Sequence, residues 1–551
     1  MDTQSSKTNT FISIDSQLLR CPISMTLSYD PVIAEDGYTY ERYSIESHFE
    51  TKQTSPMTNE CIGKNLTSNL ILKQIIQNVL ENNSNLETEF EESKKEYSFR
   101  FGKKLYDACK YGNTNAAQLL LEKGAEVNWE TEHGCTPLII ACERGYVDMA
   151  YLLINNGAEV DKAINNFGFT SLHIACYNGR LDVIRLLLDK GATVDVETVN
   201  GVTPLWMTCL NGHIDVIRLL LDTDTKVNQK RNDDTTPLHI ACYKGHIDAA
   251  RLLIAQGADI NLVKKGGFTP LYIACKNGHV DTIRLMLEKG SEVDKASDNG
   301  ATPLYIACVN GYVDVVQLLL DKNAHIDKAT NNDVTPLYIA CYKGYVNVAR
   351  LLLSKGADIN FARKGGFTPL YTASQEGHLD VVQLLLNKDA EVNKATKNGV
   401  TPLYIACYKG YINVTSMLLN NGAEIDHVRN EGWTSLHTAC QNGWFNIALL
   451  LLEKGAEVDK PNKKGWTPLH IASKKGHVDI ACMLLETGAE IDMTNKDGET
   501  PLYIACNTDQ FNMIELLMNN GANIEQADKE KLKVMYRRNS SLKYHKQYKT
   551  F

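Results

Sequence analysis

No stretch of the 551 residues is an uninterrupted apolar run of about 18, the length at which a segment reads as a membrane-spanning helix, so no span is expected. The opening MDTQSSKTNT is polar and lacks the apolar centre of a secretory leader, so none is expected. A surplus of positive charge is also missing. The net charge is −9, which argues against nucleic acid as the main partner. The balance is uneven: residues 529–551 carry eight Lys/Arg against one Glu, a local +7, which leaves −16 for the rest. Hydrophobic residues make up 43% and charged residues 22%, which excludes a largely disordered or collagen-like chain.

The chain has fifteen cysteines, but their placement does not suggest pairing. Eleven recur at one register: Cys109, Cys142, Cys176, Cys209, Cys242, Cys275, Cys308, Cys341, Cys407, Cys440 and Cys506. A disulfide framework or a zinc site needs cysteines that converge in space. One thiol per period fits a small buried side chain instead. Many unpaired thiols point to a reducing compartment, so a cytoplasmic, or nuclear, location is expected.

The period itself is explicit. A T-P-L or T-S-L triplet begins at Thr136, at Thr170, and then every 33 residues to Thr500. Residues 103–127 fit one further unit without the Thr-Pro. About thirteen units therefore fill residues 101–528, and a fixed period of this length means a solenoid. One unit reads physically. Thr302 suits a helix N-cap and Pro303 the first helical position. Gly311 can end the first helix in the left-handed conformation, and a second helix follows from Val313 to about Leu320. The residue that ends the second helix is usually Gly, as at Gly124 and Gly356. Where it is Asp224, Asn323 or Asp389, the residue is of the type that best tolerates the left-handed region after Gly.

T-P-L-[HY]-x-A at this period resembles the ankyrin repeat. The second Ala of that pattern is mostly Cys here, and the His after Leu is kept at His173, His239, His437 and His470 but is Tyr in many units. The resemblance implies a mostly α chain whose repeats bind a protein partner. No catalytic constellation stands in the repeats. His213, His246, His279, His378 and His477 occupy one equivalent position, too far apart to share a metal, and read as turn histidines that hydrogen-bond locally. The aromatic residues just before the triplets are Phe169, Phe268, Phe367, Trp433 and Trp466. They are either anchors for a partner or packing against the next hairpin. Phe268, Phe367, Trp433 and Trp466 are the candidate substrate-binding residues.

Residues 15–80 do not follow the period. They read as two extended loops, a short hairpin at Asp36-Gly37, a helix over about 41–50 and an amphipathic helix starting near Asn69, where Leu72, Ile75, Ile76, Val79 and Leu80 share one face. A module this small normally needs a staple. Only Cys21, Cys61 and His48 could be soft ligands, whereas structural zinc needs four, so no metal and no cofactor are expected.

A RING-shaped module without zinc ligands resembles the U-box. Cys21-Pro22-Ile23, Asp30-Pro31-Val32, Asp36 to Arg42, Ser55-Pro56-Met57-Thr58 and the helix from Asn69 stand in U-box order. The resemblance implies a ubiquitin ligase that holds a ubiquitin-conjugating enzyme charged with ubiquitin. The contact patch it implies is Ile23 and Met25 in the first loop, His48 on the helix and Pro56 in the second loop. Asn59 stands where many relatives carry Arg, Lys or Asn against the conjugated ubiquitin. In this family no catalytic residue forms a covalent intermediate, and transfer follows from positioning.

The expected layout is a small α+β U-box at 15–80, an acidic helical linker at 81–100, an α-solenoid of about thirteen ankyrin repeats at 101–528 and a basic tail at 529–551. Two functional readings stand at this point: a ubiquitin ligase whose repeats choose a protein substrate, or a non-catalytic ankyrin scaffold with a degenerate U-box. Intact Ile23 and Pro56 favour the first, and the uncharged Asn59 leaves room for the second. A nucleic-acid adaptor using the basic tail is opposed by the acidic body.

Overall fold

The computed structural model describes residues 20–22, 28, 31–34, 38–42, 44–45, 48, 52, 54–58, 67–80, 84–164 and 166–523. The chain divides into two compact bodies, residues 1–232 and 233–551. The first holds the front module and four helix pairs, the second nine helix pairs.

Three short strands build the front module: β1 Pro31–Ile33, β2 Thr39–Glu41 and β3 Thr67–Ser68, in the order β2-β1-β3. β1 is antiparallel to both neighbours, with Val32 opposite Tyr40 on one side and Ser68 on the other. Pro31 takes the first strand position, where its missing N–H does least harm. The Ala34 N–H donates to the Tyr38 carbonyl at 3.0 Å, which closes the hairpin; its tip at Asp36-Gly37 lies outside the described residues. Cys21, Val32, Ala34, Tyr40 and Ile45 form the buried core. Arg42, Ser44, Ile45 and His48 are helical, within the stretch where the sequence predicts a helix.

Asn69 ties the following helix to two strands. Its Oδ1 accepts from the Leu72 N–H at 3.0 Å and caps α1 (Leu70–Leu80). Its Nδ2 donates to Thr39 Oγ1 at 3.0 Å and its N–H to the Pro31 carbonyl at 2.8 Å. Ile76 and Leu80 are buried. α2 (Ser84–Tyr111) is one continuous 28-residue helix. It contains most of the acidic stretch and then serves as the first helix of the first repeat, burying Phe101, Leu105 and Cys109 at helical spacing. α3 (Thr114–Glu122) completes that unit, capped by Asn113.

Twelve further helix pairs follow, from Pro137–Arg144 with Val147–Asn155 to Pro501–Asn507 with Phe511–Asn519. Each uses its motif residues locally. In the unit after Ala301, Thr302 Oγ1 accepts from the Tyr305 N–H at 3.1 Å. Pro303 opens the helix, and Gly311 closes it at φ 75°. The eleven registered cysteines are all buried. Asn323 and Asp389 take φ 61° and 60° after their second helices, as expected. Asp224 does not have positive φ. There the helix stops at Leu221, and the Thr223 hydroxyl donates to the Leu220 carbonyl at 2.6 Å, so a side chain satisfies the helix end without a left-handed residue.

Two ladders join neighbouring units. The residue after the Gly that ends each first helix reaches back one unit: His279 Nε2 meets the Tyr243 carbonyl and His378 Nε2 the Tyr342 carbonyl, each at 3.0 Å, and Trp444 Nε1 donates to the Tyr408 carbonyl at 3.2 Å. These histidines therefore bond across units and not locally, which corrects the sequence expectation. The turn of one unit lies against the turn of the next, so the nearest carbonyl belongs to the neighbour. The second ladder runs through Asn and Asp side chains that accept the backbone N–H of a residue 31 positions later. Asn261 accepts from Glu292 and Asn360 from Glu391, each at 2.9 Å, and Asp426 and Asp459 accept from Glu457 and Glu490. Burial raises the carboxyl pKa of Asp426 and Asp459, and the accepted N–H opposes it.

Candidate functional site

In the front module, the second loop is held by its own side chains. The Ser55 side chain is buried, and its Oγ accepts the N–H of Met57 at 3.1 Å and of Thr58 at 2.9 Å. This is the local turn that a Ser before Pro favours. His48, on the helical segment, has Nε2 at 2.9 Å from the Thr54 carbonyl. The helix and the loop are therefore tied together directly beside Pro56. Pro56 is half-buried, while Met57 is half exposed at 50%. An ordered loop with an exposed apolar tip is a suitable contact for a partner surface, because little is left to immobilise on binding. Ile23, Met25 and Asn59 lie outside the described residues. Of the sequence-predicted patch, the structure brings together His48 and Pro56. Ser55 and Met57 stand in the second-loop motif but not in the sequence-predicted patch; the structure adds Ser55 as the residue that holds the loop and Met57 as its exposed member.

Cys21 is fully buried among Val32, Tyr40 and Ile45, an apolar setting that does not present the thiol as a nucleophile. In the repeats burial pushes the thiols of Cys142 and Cys407 up to about 12 and raises those of Cys176 and Cys308 as well. These are packing residues with no thiolate to offer near neutral pH.

The four aromatic candidates of the array do not form one surface. Phe268 pairs with Lys264 in an isolated bridge and packs on Tyr272 with ring centroids 4.9 Å apart. Phe367 repeats that arrangement with Arg363 and Tyr371. The Arg363 guanidinium lies 5.6 Å from both Phe367 and Tyr338, so it links two units by cation–π contact. Both Phe residues are half-buried parts of their hairpins. Trp433 and Trp466 differ. They line one cleft of about 520 Å³ with Gln441, Ile471, Glu431, Asp497 and four lysines.

Comparison with known proteins agrees with these two architectures. The family model for ankyrin repeats matches successive segments that span residues 105–528. The chain belongs to the ankyrin-repeat proteins. The U-box domain model matches residues 17–85, ahead of the repeats. A probable bifunctional E2/E3 enzyme of Acanthamoeba polyphaga mimivirus is 51% identical over 67 residues, 12% of this chain and 5% of that protein. U-box domain-containing protein 45 of Arabidopsis thaliana is 42% identical over 74 residues, 13% and 10% of the two chains. The human WD repeat, SAM and U-box domain-containing protein 1 is 48% identical over 63 residues, 11% and 13%. The chain thus spans about an eighth or less of the length of these curated relatives, and the likeness is confined to the U-box. Among solved structures, the human ASB11 ankyrin repeat domain is matched at 29% identity over 40% of this chain and 99% of that one, with TM-score 0.38. A U-box followed by ankyrin repeats is a ubiquitin-ligase type of architecture. Among the described residues no helix is long and apolar enough to cross a membrane.

Proposed function

We propose that this ankyrin-repeat protein is a ubiquitin ligase. Its U-box recruits a charged ubiquitin-conjugating enzyme through Ile23, Met25, His48 and Pro56, with Asn59 beside the conjugated ubiquitin. Its repeats bind the protein substrate. The observation that carries this reading is the second loop of the U-box, ordered by Ser55 and tied to the helix by His48, with Met57 exposed at its tip. Ubiquitin passes directly from the conjugating enzyme to a substrate lysine. The chain contributes position: two bound reactants held in one complex react at a far higher effective concentration than when free. The buried setting of Cys21 supports a route without a thioester on the U-box. Asn59 can donate and accept hydrogen bonds but brings no charge, so its replacement by Arg is expected to speed transfer.

The test is autoubiquitination with a panel of conjugating enzymes, for the parent, Ile23→Ala and Pro56→Ala. Both variants are expected to lose transfer while their melting temperatures stay within a few degrees of the parent. Removal of a contact anchor costs about 2 kcal/mol or more in binding, against about 1 kcal/mol in stability for a typical substitution. Parent-like transfer by both variants would show that the patch is misplaced. A parent inactive with every enzyme would favour the scaffold reading.

A further inference from the structure

The Trp433–Trp466 cleft has a chemical character that the other aromatic positions lack. Its walls come from three successive hairpins and two first helices, Ser435–Asn442 and Pro468–Lys475. Four lysines stand around it: Lys463 and Lys464 just before Trp466, and Lys474 and Lys475 at the end of the helix that Trp466 precedes. All four are exposed, and among the described residues none forms an ion pair with a carboxylate. Lys474 Nζ is 4.9 Å from the Trp466 ring centroid, over its face.

Two carboxylates line the same cleft, but one is already neutralised. Glu431 is bonded to the Arg429 guanidinium at 2.6 Å, and Arg429 itself lies over the Trp433 ring at 5.6 Å. Only Asp497 is left to offset four lysines. The cleft is thus a positive pocket with two half-buried indoles in a chain whose net charge is −9.

We propose that this cleft takes an acidic peptide segment carrying a large apolar side chain. The apolar residue would pack against the indoles over Ile471, and flanking Asp or Glu side chains would pair with the lysines. The inference rests on the reading that the repeats bind protein substrates, and it names the substrate class. A peptide fits better than nucleic acid. One face of each indole is already covered by a cation, whereas single strands use open aromatic faces for stacking. Moreover, the basic footprint expected of a nucleic-acid binder is here confined to four side chains on an acidic body.

The experiment uses the full chain and a fluorescein-labelled peptide of about ten residues, with a central Leu-Phe pair flanked by Asp and Glu, followed by anisotropy. A second peptide has Lys at every acidic position. The acidic peptide is expected to bind about tenfold or more tightly than the basic one and to weaken as salt rises. Changing Lys463, Lys464, Lys474 and Lys475 together to Glu should abolish binding, and changing the same four to Arg should retain it. Trp433→Ala with Trp466→Ala should weaken binding with the salt dependence kept. Melting curves establish that each variant is folded, and the Arg set keeps the test decisive if the Glu set is not. The proposal is overturned by equal binding of the two peptides, by binding that survives the Glu set, by loss in the folded Arg set, or by an oligonucleotide of equal charge displacing the peptide at the same concentration. Autoubiquitination is run on the same preparations. Failed peptide binding with intact autoubiquitination sinks this inference alone, and the converse sinks the ligase reading alone.

Discussion

The U-box and the repeats divide their characteristic residues differently between core and surface. In the U-box the motif residues Cys21, Val32 and Tyr40 are buried in the core with Ala34 and Ile45, while in the second loop Ser55 is buried, Pro56 half-buried and Met57 exposed. In the repeats nearly every motif residue is used up by the structure. Thr caps, Pro starts, Gly closes, Cys fills, and the His that follows Leu is buried: His437 Nδ1 lies 2.8 Å from the Thr434 hydroxyl, and its Nε2 lies 2.9 Å from the Trp466 carbonyl of the next unit. Motif residues therefore divide between core and surface in the first region, whereas in the second they serve mainly the fold. In the repeats, function has to be sought where units depart from one another, as at the lysine doublets around Trp466.

The comparison breaks most visibly at Tyr40. Its fully buried ring packs in one core with Cys21, Val32, Ala34 and Ile45, so Tyr40→Ala is expected to cost about 3–5 kcal/mol. It should unfold the U-box and abolish autoubiquitination, while the main melting transition of the repeats stays in place by calorimetry. Simultaneous loss of both would show that the two regions fold as one. Inside the repeats the effects are smaller and depend on neighbours. A Cβ on Gly344 would stand 2.7 Å from the His378 ring, at φ 75°, whereas a Cβ on Gly356, at φ 90°, meets nothing within 4 Å. Gly356→Ala should cost about 1–2 kcal/mol for the left-handed backbone alone, and Gly344→Ala measurably more in chemical denaturation. Equal losses would mean that the contact with the next unit carries no weight.

Burial lowers the pKa of His437 to about 4, against an ordinary value of about 6.5. Between those values the unfolded chain binds a proton that the folded chain does not, so stability falls as pH drops through that window and is flat above it. The loss is at most about 3 kcal/mol. His437→Tyr, which copies the residue at Tyr404, should flatten the acid limb of a melting-temperature profile from pH 7 to 4. An unchanged limb would assign it to His173 or His470, whose pKa values burial also lowers.

Much of this was legible in the sequence because it is local. The cap at Thr302, the turn at Gly311 and the register of the cysteines depend on residues within one turn of helix. The turn histidines were misread for lack of a distant partner. Those such as His378 bond to a residue 36 positions earlier, and the ladder through Asn360 and Asp426, which bond to residues 31 positions later, went unread for the same reason. A single unit read alone does not contain the partner. Asp224 failed differently, because the neighbouring Thr223 hydroxyl donates to the Leu220 carbonyl at the helix end. In the U-box, the pairing of His48 with Thr54 required knowing that the helix and the loop meet. Trp433 and Trp466 were legible as candidates, but their separation from Phe268 and Phe367 was not, since all four occupy the same place in the period.

The proposal is a division of labour: the U-box supports transfer by the conjugating enzyme and the repeats choose what receives ubiquitin. The most direct test is the initial rate of autoubiquitination for the parent, for Pro56→Ala, and for Trp433→Ala combined with Trp466→Ala, all with one productive conjugating enzyme. The account predicts a fall of about tenfold or more for Pro56→Ala and the parent rate for the Trp pair. A parent rate for Pro56→Ala, or a comparable fall for the folded Trp pair, would contradict it.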